Sequence, residues 1–175
     1  MGCRALLTTA ALVATLGVTG AAGIAQTSSE DKVLAQKQGG LNPAAVRAAI
    51  ASGDAAASRG DLVEARADYD KAREASTLML GFYRNLSGSF RGLDARIPRE
   101  MDTKGREVLE LLAETNLRLA ALFRRQNQQQ MAVPLLVEVI TRMTPAKPQG
   151  QQAYQSLLEL GFVETEFRGA SAAGQ

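Results

Sequence analysis

From Asn42 to Gly161 the apolar positions recur at steps of three and four residues, the mark of amphipathic helices, and no segment alternates long enough to predict a strand. Asn42-Pro43 is a helix start: a side-chain acceptor for the first free amides, then a proline where no amide is needed. The pattern predicts a first helix over 43–58, with Val46, Ala49, Ile50, Gly53, Ala56 and Ala57 on one face. Gly60-Asp61 ends it and caps a second helix over 62–86, whose inner face carries Leu62, Ala65, Tyr69, Ala72, Ser76 and Met79. Residues 87–97 hold two glycines and no period, which predicts a loop. A long helix over 98–125 follows, with Met101, Val108, Leu112, Leu119, Leu122 and Phe123 inward and Gly105 as the place where it breaks or bends. Asn127 to Gln130 is a polar turn, and 131–142 a fourth helix with Pro134 near its start. Thr144-Pro145 with Pro148 stops it, and a last helix over 149–160 closes at Gly161. The expected fold class is therefore all-α, a single domain of five helices over 42–167, with a tail over 168–175 too small and polar to order.

The first 25 residues differ in kind. One arginine, Arg4, precedes an uncharged stretch from Ala5 to Ala22, and Gly23-Ile24-Ala25 supplies small residues where a signal peptidase needs them. The expectation is a signal peptide over 1–25 and an exported protein, in the periplasm or thylakoid lumen if the source is a cyanobacterium and secreted otherwise. Retention of the same stretch as a membrane anchor is the alternative, although its threonines and glycines dilute its hydrophobicity. Residues 26–41 read as a flexible leader. Composition then narrows the chemistry. The chain has no histidine and one cysteine, Cys3, so imidazole catalysis and the commonest zinc sites are excluded. Cleavage after Ala25 removes Cys3 and Arg4 and leaves neither a thiol nor an excess of charge to favour nucleic acid, since 20 basic residues face 18 acidic ones in the whole chain. No metal and no cofactor is expected.

Two helix pairs repeat one pattern. Gly53, Ala56, Gly60, Ala65, Tyr69 and Ala72 have the same internal spacing as Ala120, Phe123, Asn127, Ala132, Leu136 and Val139. The copies lie two units of about 34 residues apart, and the stretch Gly60 to Ala72 resembles the turn and second helix of a tetratricopeptide repeat. The resemblance covers 46–79 and 113–146. Small residues at 53 and 120 let paired helices approach, the turns at 60 and 127 tolerate left-handed backbone, and Ala65 and Ala132 fit helix crossings. Several positions depart from the family pattern: Ala49 and Asn116 replace a bulky aromatic, Ala56 a tyrosine, and Thr77 and Thr144 a proline. The residues between the copies have the length of a third repeat without its pattern, which implies a repeat remodelled into a loop and a lengthened helix. An irregular helical bundle with coincident alanine seams is the other reading of the same spacings.

The resemblance implies a concave groove lined by the first helix of each repeat. It would present Arg47, Ile50, Asp54, Ala57 and Ser58 from one copy, and Glu114, Leu117, Ala121, Arg124 and Arg125 from the other. Arg124 and Arg125 would form a basic lip suited to an acidic or amphipathic segment, or equally complement the negative end of their helix. The function so implied is a non-catalytic scaffold or assembly factor that binds a peptide or helix of another protein; a structural or membrane-associated subunit is the alternative. Weaker candidates are the stretch Ser87 to Gly92, as an anion-binding loop, and the carboxylates Glu64, Asp68, Asp70 and Glu74, which Lys71 and Arg73 offset. Asn85-Leu86-Ser87 fits a glycosylation sequon. Phe162, Val163 and Phe167 are expected to fold back and cap the open end of the array.

Overall fold

In the computed structural model, which describes residues 40–167, the chain forms five α-helices and, among the described residues, no strand. They are α1 (Pro43–Ser58), α2 (Leu62–Ser89), α3 (Arg96–Arg125), α4 (Gln129–Met143) and α5 (Pro148–Glu159). The expected signal peptide over 1–25, nearly all of the leader and the tail over 168–175 lie outside the described residues.

Local chemistry explains the starts. Asn42 Oδ1 accepts from the Ala45 amide at 2.8 Å and Asp61 Oδ1 from the Glu64 amide at 2.9 Å, so each side chain satisfies a donor that the helix leaves free. Several boundaries differ from expectation: α4 starts at Gln129, inside the expected turn, and two others have a visible cause. α2 runs on through Ser87-Gly88-Ser89, because Ser87 is buried and donates to Asp102 Oδ1 of α3 at 3.0 Å, and that packing overrides the poor helix propensity of glycine. α3 begins at Arg96, whose amide donates to Asp94 Oδ1 at 2.9 Å, and Pro98 falls inside the first turn, where a missing amide costs nothing. Gly105 neither breaks nor ends α3, which is continuous over 30 residues, and Pro134 lies inside an unbroken α4.

One helix ending occurs three times. Gly60 (φ 84°), Asn127 (φ 56°) and Gly161 (φ 74°) each take left-handed backbone just after a helix. In each case the next amide reaches back to a helix carbonyl: Asp61 to Ala56 at 3.0 Å, Gln128 to Phe123 at 2.9 Å, Phe162 to Leu157 at 3.0 Å. This is the bond that closes a helix whose terminal carbonyls would otherwise be orphaned. The residues that accept it, Ala56, Phe123 and Leu157, are all buried.

Successive helices pack on one another, and beyond that α1 packs on α3 and α3 on α5. α1 and α3 run in the same direction, as their cross-links show: Arg47 to Glu107, Asp54 to Arg118 and Arg125 to the Ala57 carbonyl join them in rising order. The core has two parts. Val46, Ile50, Ala72, Met79, Val108 and Leu111 fill one end of the α1–α2–α3 contact. Ala56, Ala65, Tyr69 and Phe123 join Ala132, Leu136, Val139, Ala153 and Leu157 in the other. Residues 162–167 turn back along α5: Tyr154 donates to the Thr165 carbonyl at 2.6 Å, Phe167 sets its ring edge-on to Tyr154, and Val163 packs on the core, while Phe162 stays half exposed.

Candidate functional site

Two polar clusters flank α3 on opposite sides, since Asn116 and Arg118 stand two residues apart on one helix. On the even-numbered side Arg73 of α2 donates to Asn116 Oδ1 at 2.9 Å and to Glu138 of α4 at 2.8 Å, and Arg142 closes on Glu138 at 2.9 Å. Asn116, fully buried, donates in turn to Glu138 at 3.2 Å. Here the aromatic expected by the repeat pattern gives way to an amide that links three helices.

On the odd-numbered side Arg118 of α3 lies between two carboxylates, Asp54 of α1 at 2.8 Å and Glu114 at 2.9 Å. Tyr69 donates to the same Asp54 at 2.6 Å. Burial alone would raise the Asp54 pKa, but the hydrogen bonds from Arg118 and Tyr69 and the Arg118 charge together hold it below the usual carboxylate value. Burial and the bond to Asp54 push the Tyr69 phenol well above its ordinary range, so it stays a neutral donor. Next to this cluster Glu114, Leu117, Arg118 and Ala121 of α3 face Pro148, Gln149 and Gln152 of α5 across a depression of about 620 Å³.

The residues expected to line a groove divide accordingly. Glu114, Leu117 and Ala121 meet in this depression, and Asp54 reaches it through Arg118. Arg47 lies further along the same side, paired with Glu107 at 2.6 Å. Ile50 does not face the groove: it is 5% exposed and belongs to the core, because α1 packs on both α2 and α3 and its inward face is correspondingly wide. Ala57 packs against the core, and Ser58, exposed at the end of α1, donates back to the Ala55 carbonyl. The basic lip is already engaged, Arg124 with Glu159 at 2.8 Å and Arg125 with the Ala57 carbonyl at 3.4 Å.

Of the positions assigned to the repeat, Gly53, Ala65, Tyr69, Ala72, Ala120, Phe123, Ala132 and Leu136 are buried at helix contacts and Gly60 makes a turn. Sequence reasoning missed Arg118 and the α5 glutamines. The available signal was the step of 34 from Asn127 to Gly161, which places Gln152 where α3 has Arg118.

The weaker candidates resolve into structure. Ser87 to Ser89 are helical, so no amide nest forms there, and the sequon at Asn85 lies on α2 with its Ser87 buried. Glu64 pairs with Arg59 and Asp70 with Arg66 on the surface. Among the described residues no three Cys, Asp or Glu side chains gather to hold a metal ion. The chain matches no family model, no curated protein and no solved structure.

Proposed function

We propose that this protein is a non-catalytic interaction scaffold of tetratricopeptide-like build, which receives a peptide or a partner helix in the groove shared by α1, α3 and α5. The observation that carries this reading is the recurrent helix ending at Gly60, Asn127 and Gly161, with the same left-handed residue and the same backward bond each time. In that light α1 with α2 is one helix pair and α3 with α4 the next, and α5 begins a third. Contacts of α1 with α3 and of α3 with α5 agree with it, since they bring the first helices of successive pairs side by side.

The groove's own charges neutralise one another. Arg47, Asp54, Glu114, Arg118 and Arg124 all have partners, so Leu117, Ala121, Gln149 and Gln152 remain to make contacts. Apolar surface beside side-chain amides suits an extended neutral segment, whose backbone the glutamines can both donate to and accept from, better than an acidic one. Export through the segment at 1–25 belongs to the same proposal; a purified native chain that begins at Gln26 supports it, and one that keeps residues 1–25 supports the anchored subunit instead. Among the described residues no helix is long and apolar enough to cross a membrane.

The test is selection of a random peptide library on the full-length protein, followed by affinity measurement on Ala121→Arg. Ala121 is exposed in the middle of the depression, so arginine there should weaken selected peptides at least about tenfold while helicity is unchanged. Peptides that all bind the variant as tightly as the wild type refute the groove.

A further inference from the structure

The far end of α2 and the near end of α3 form a hairpin that the core hardly supports. Between Leu80 and Glu107 the buried side chains are Ser87 and Met101 alone. Along one side of its seam lies an open cleft of about 330 Å³, lined by Leu80, Tyr83, Met101 and Leu109 and by three arginines, Arg84, Arg91 and Arg106, against one carboxylate, Asp102. From Leu80 to the end of α2 at Ser89 is about 14 Å of helix, or two and a half turns, and Arg91 lies just beyond it.

Most arginines elsewhere form ion pairs, among them Arg47, Arg59, Arg66, Arg73, Arg118, Arg124 and Arg142, whereas the side chains of Arg84 and Arg91 have no polar partner among the described residues and that of Arg106 donates only to the Thr103 hydroxyl at 3.3 Å. Of the three carboxylates in the hairpin, Asp94 is held by Arg96, Glu100 by Lys104, and Asp102 accepts from Ser87. Residues 80–106 therefore carry a net charge of +3, while the rest of 40–167 carries −3.

Unneutralised guanidinium groups around an apolar floor call for a ligand with carboxylates flanking an apolar stripe. Two antiparallel helices with an open apolar seam have room for a third, whose stripe at i, i+3, i+4 and i+7 would seat on Leu80, Tyr83, Met101 and Leu109. We propose that this cleft docks an acidic amphipathic helix of another protein and completes a three-helix bundle with it. The site is separate from the groove of α1, α3 and α5: Arg106 and Arg118 are about 18 Å apart along α3.

The probe is a fluorescein-labelled 18-residue peptide designed as a helix with a leucine stripe flanked by glutamates, titrated into the full-length protein and followed by anisotropy. Saturable binding is expected, weakened at least about tenfold when lysines replace the glutamates, weakened similarly by Arg84→Glu with Arg91→Glu and Arg106→Glu, and reduced by added salt. Ala121→Arg should leave it unchanged. Equal binding of the lysine peptide, or full binding by the charge-reversed protein, overturns the proposal. So does loss on Ala121→Arg alone, which moves the peptide to the other groove. Tighter, arginine-dependent binding to anionic phosphatidylglycerol vesicles overturns it as well, by making the patch a lipid contact. If circular dichroism shows the triple variant unfolded, Arg84→Gln with Arg91→Gln makes the same test on two exposed side chains.

Discussion

Gly53 is the position where one atom has the clearest consequence. A Cβ there would stand 2.5 Å from Tyr69 Cε1 and 2.7 Å from Cδ1. The ring is not free to swing aside, because Tyr69 is 3% exposed and its hydroxyl is held by Asp54 at 2.6 Å. In the second copy of the pattern the corresponding pair is Ala120 with Leu136, so the volume missing at 53 is taken up at 69. Gly53→Ala gains about 1 kcal/mol of helix propensity. Against that, overpacking costs about 1–3 kcal/mol, and disturbing a bond to a half-exposed carboxylate about 1.5 kcal/mol. The variant should be less stable by about 2 kcal/mol. Tyr69→Leu alone removes ring and phenol and costs about 2–4 kcal/mol, but it also removes the clash. In that background Gly53→Ala should stabilise by the propensity term, about 1 kcal/mol. The sign of the same substitution therefore reverses, with a coupling of about 3 kcal/mol across the cycle. Urea unfolding of the four proteins, followed by circular dichroism at helical wavelengths, measures it. If Gly53→Ala shifts the midpoint equally in both backgrounds, or stabilises the wild type, the packing of Tyr69 under Gly53 is not what sets residue size here.

Other consequences follow from strain and from charge. Thr144 holds φ at 62° and ψ at 152°, a region nearly closed to a β-branched residue, so Thr144→Gly should raise stability by about 1 kcal/mol in the same assay; a lower midpoint would mean that the side chain compensates for its backbone. Asp54 and Glu138 are both held below their ordinary values of 3.8 and 4.5, against the opposing effect of burial, by Arg118 with Tyr69 and by Arg73 with Arg142. A carboxylate lowered by folding contributes fully above its unfolded pKa and loses that contribution as pH falls through the folded one. Stability should therefore drop below about pH 4, and Asp54→Asn with Glu138→Gln should flatten that drop; an unchanged slope between pH 3 and 5 refutes the assignment. Tyr69 acts with the opposite sign: its raised pKa makes stability full below its ordinary 10.0 and declining as pH rises beyond it.

What could be read from the residues was local. The turns at Gly60 and Asn127 announce themselves because left-handed backbone needs glycine or asparagine, and the caps Asn42 and Asp61 because short acceptors belong before helices. Gly88 and Gly105 look the same on paper and do the opposite, since the packing between α2 and α3 holds both in continuous helix. Glycine is a weak vote that tertiary contacts outweigh. Gly161 was legible as a stop but not as the third of a series, because Tyr154 and Leu157 keep the spacing of Ala120 and Phe123 without their sizes. Ile50 lies on the buried face that its spacing with Val46 and Ala56 predicts, and only the groove implied by the repeat resemblance turns it outward, because that resemblance carries no account of how α1 packs on both neighbours. Arg118 was hidden for a different reason: its partner Asp54 is 64 residues away, and a long-range ion pair leaves no local trace.

α3 runs 30 residues without interruption, which makes it a rod about 45 Å long. Its early turns wall the arginine-rimmed cleft and its later turns wall the groove, so one piece of backbone is a boundary of both. The Asp54–Arg118 ion pair on one side and the hydrogen bonds of Asn116 with Arg73 and Glu138 on the other hold its later turns, and its first turns extend past that clamp. A guest that tilts the free end acts on a lever whose pivot lies beside the other site. If the proposed groove and the proposed cleft both take guests, such a tilt would enter both binding equilibria, and occupancy at one end would change affinity at the other by an equal factor in either direction.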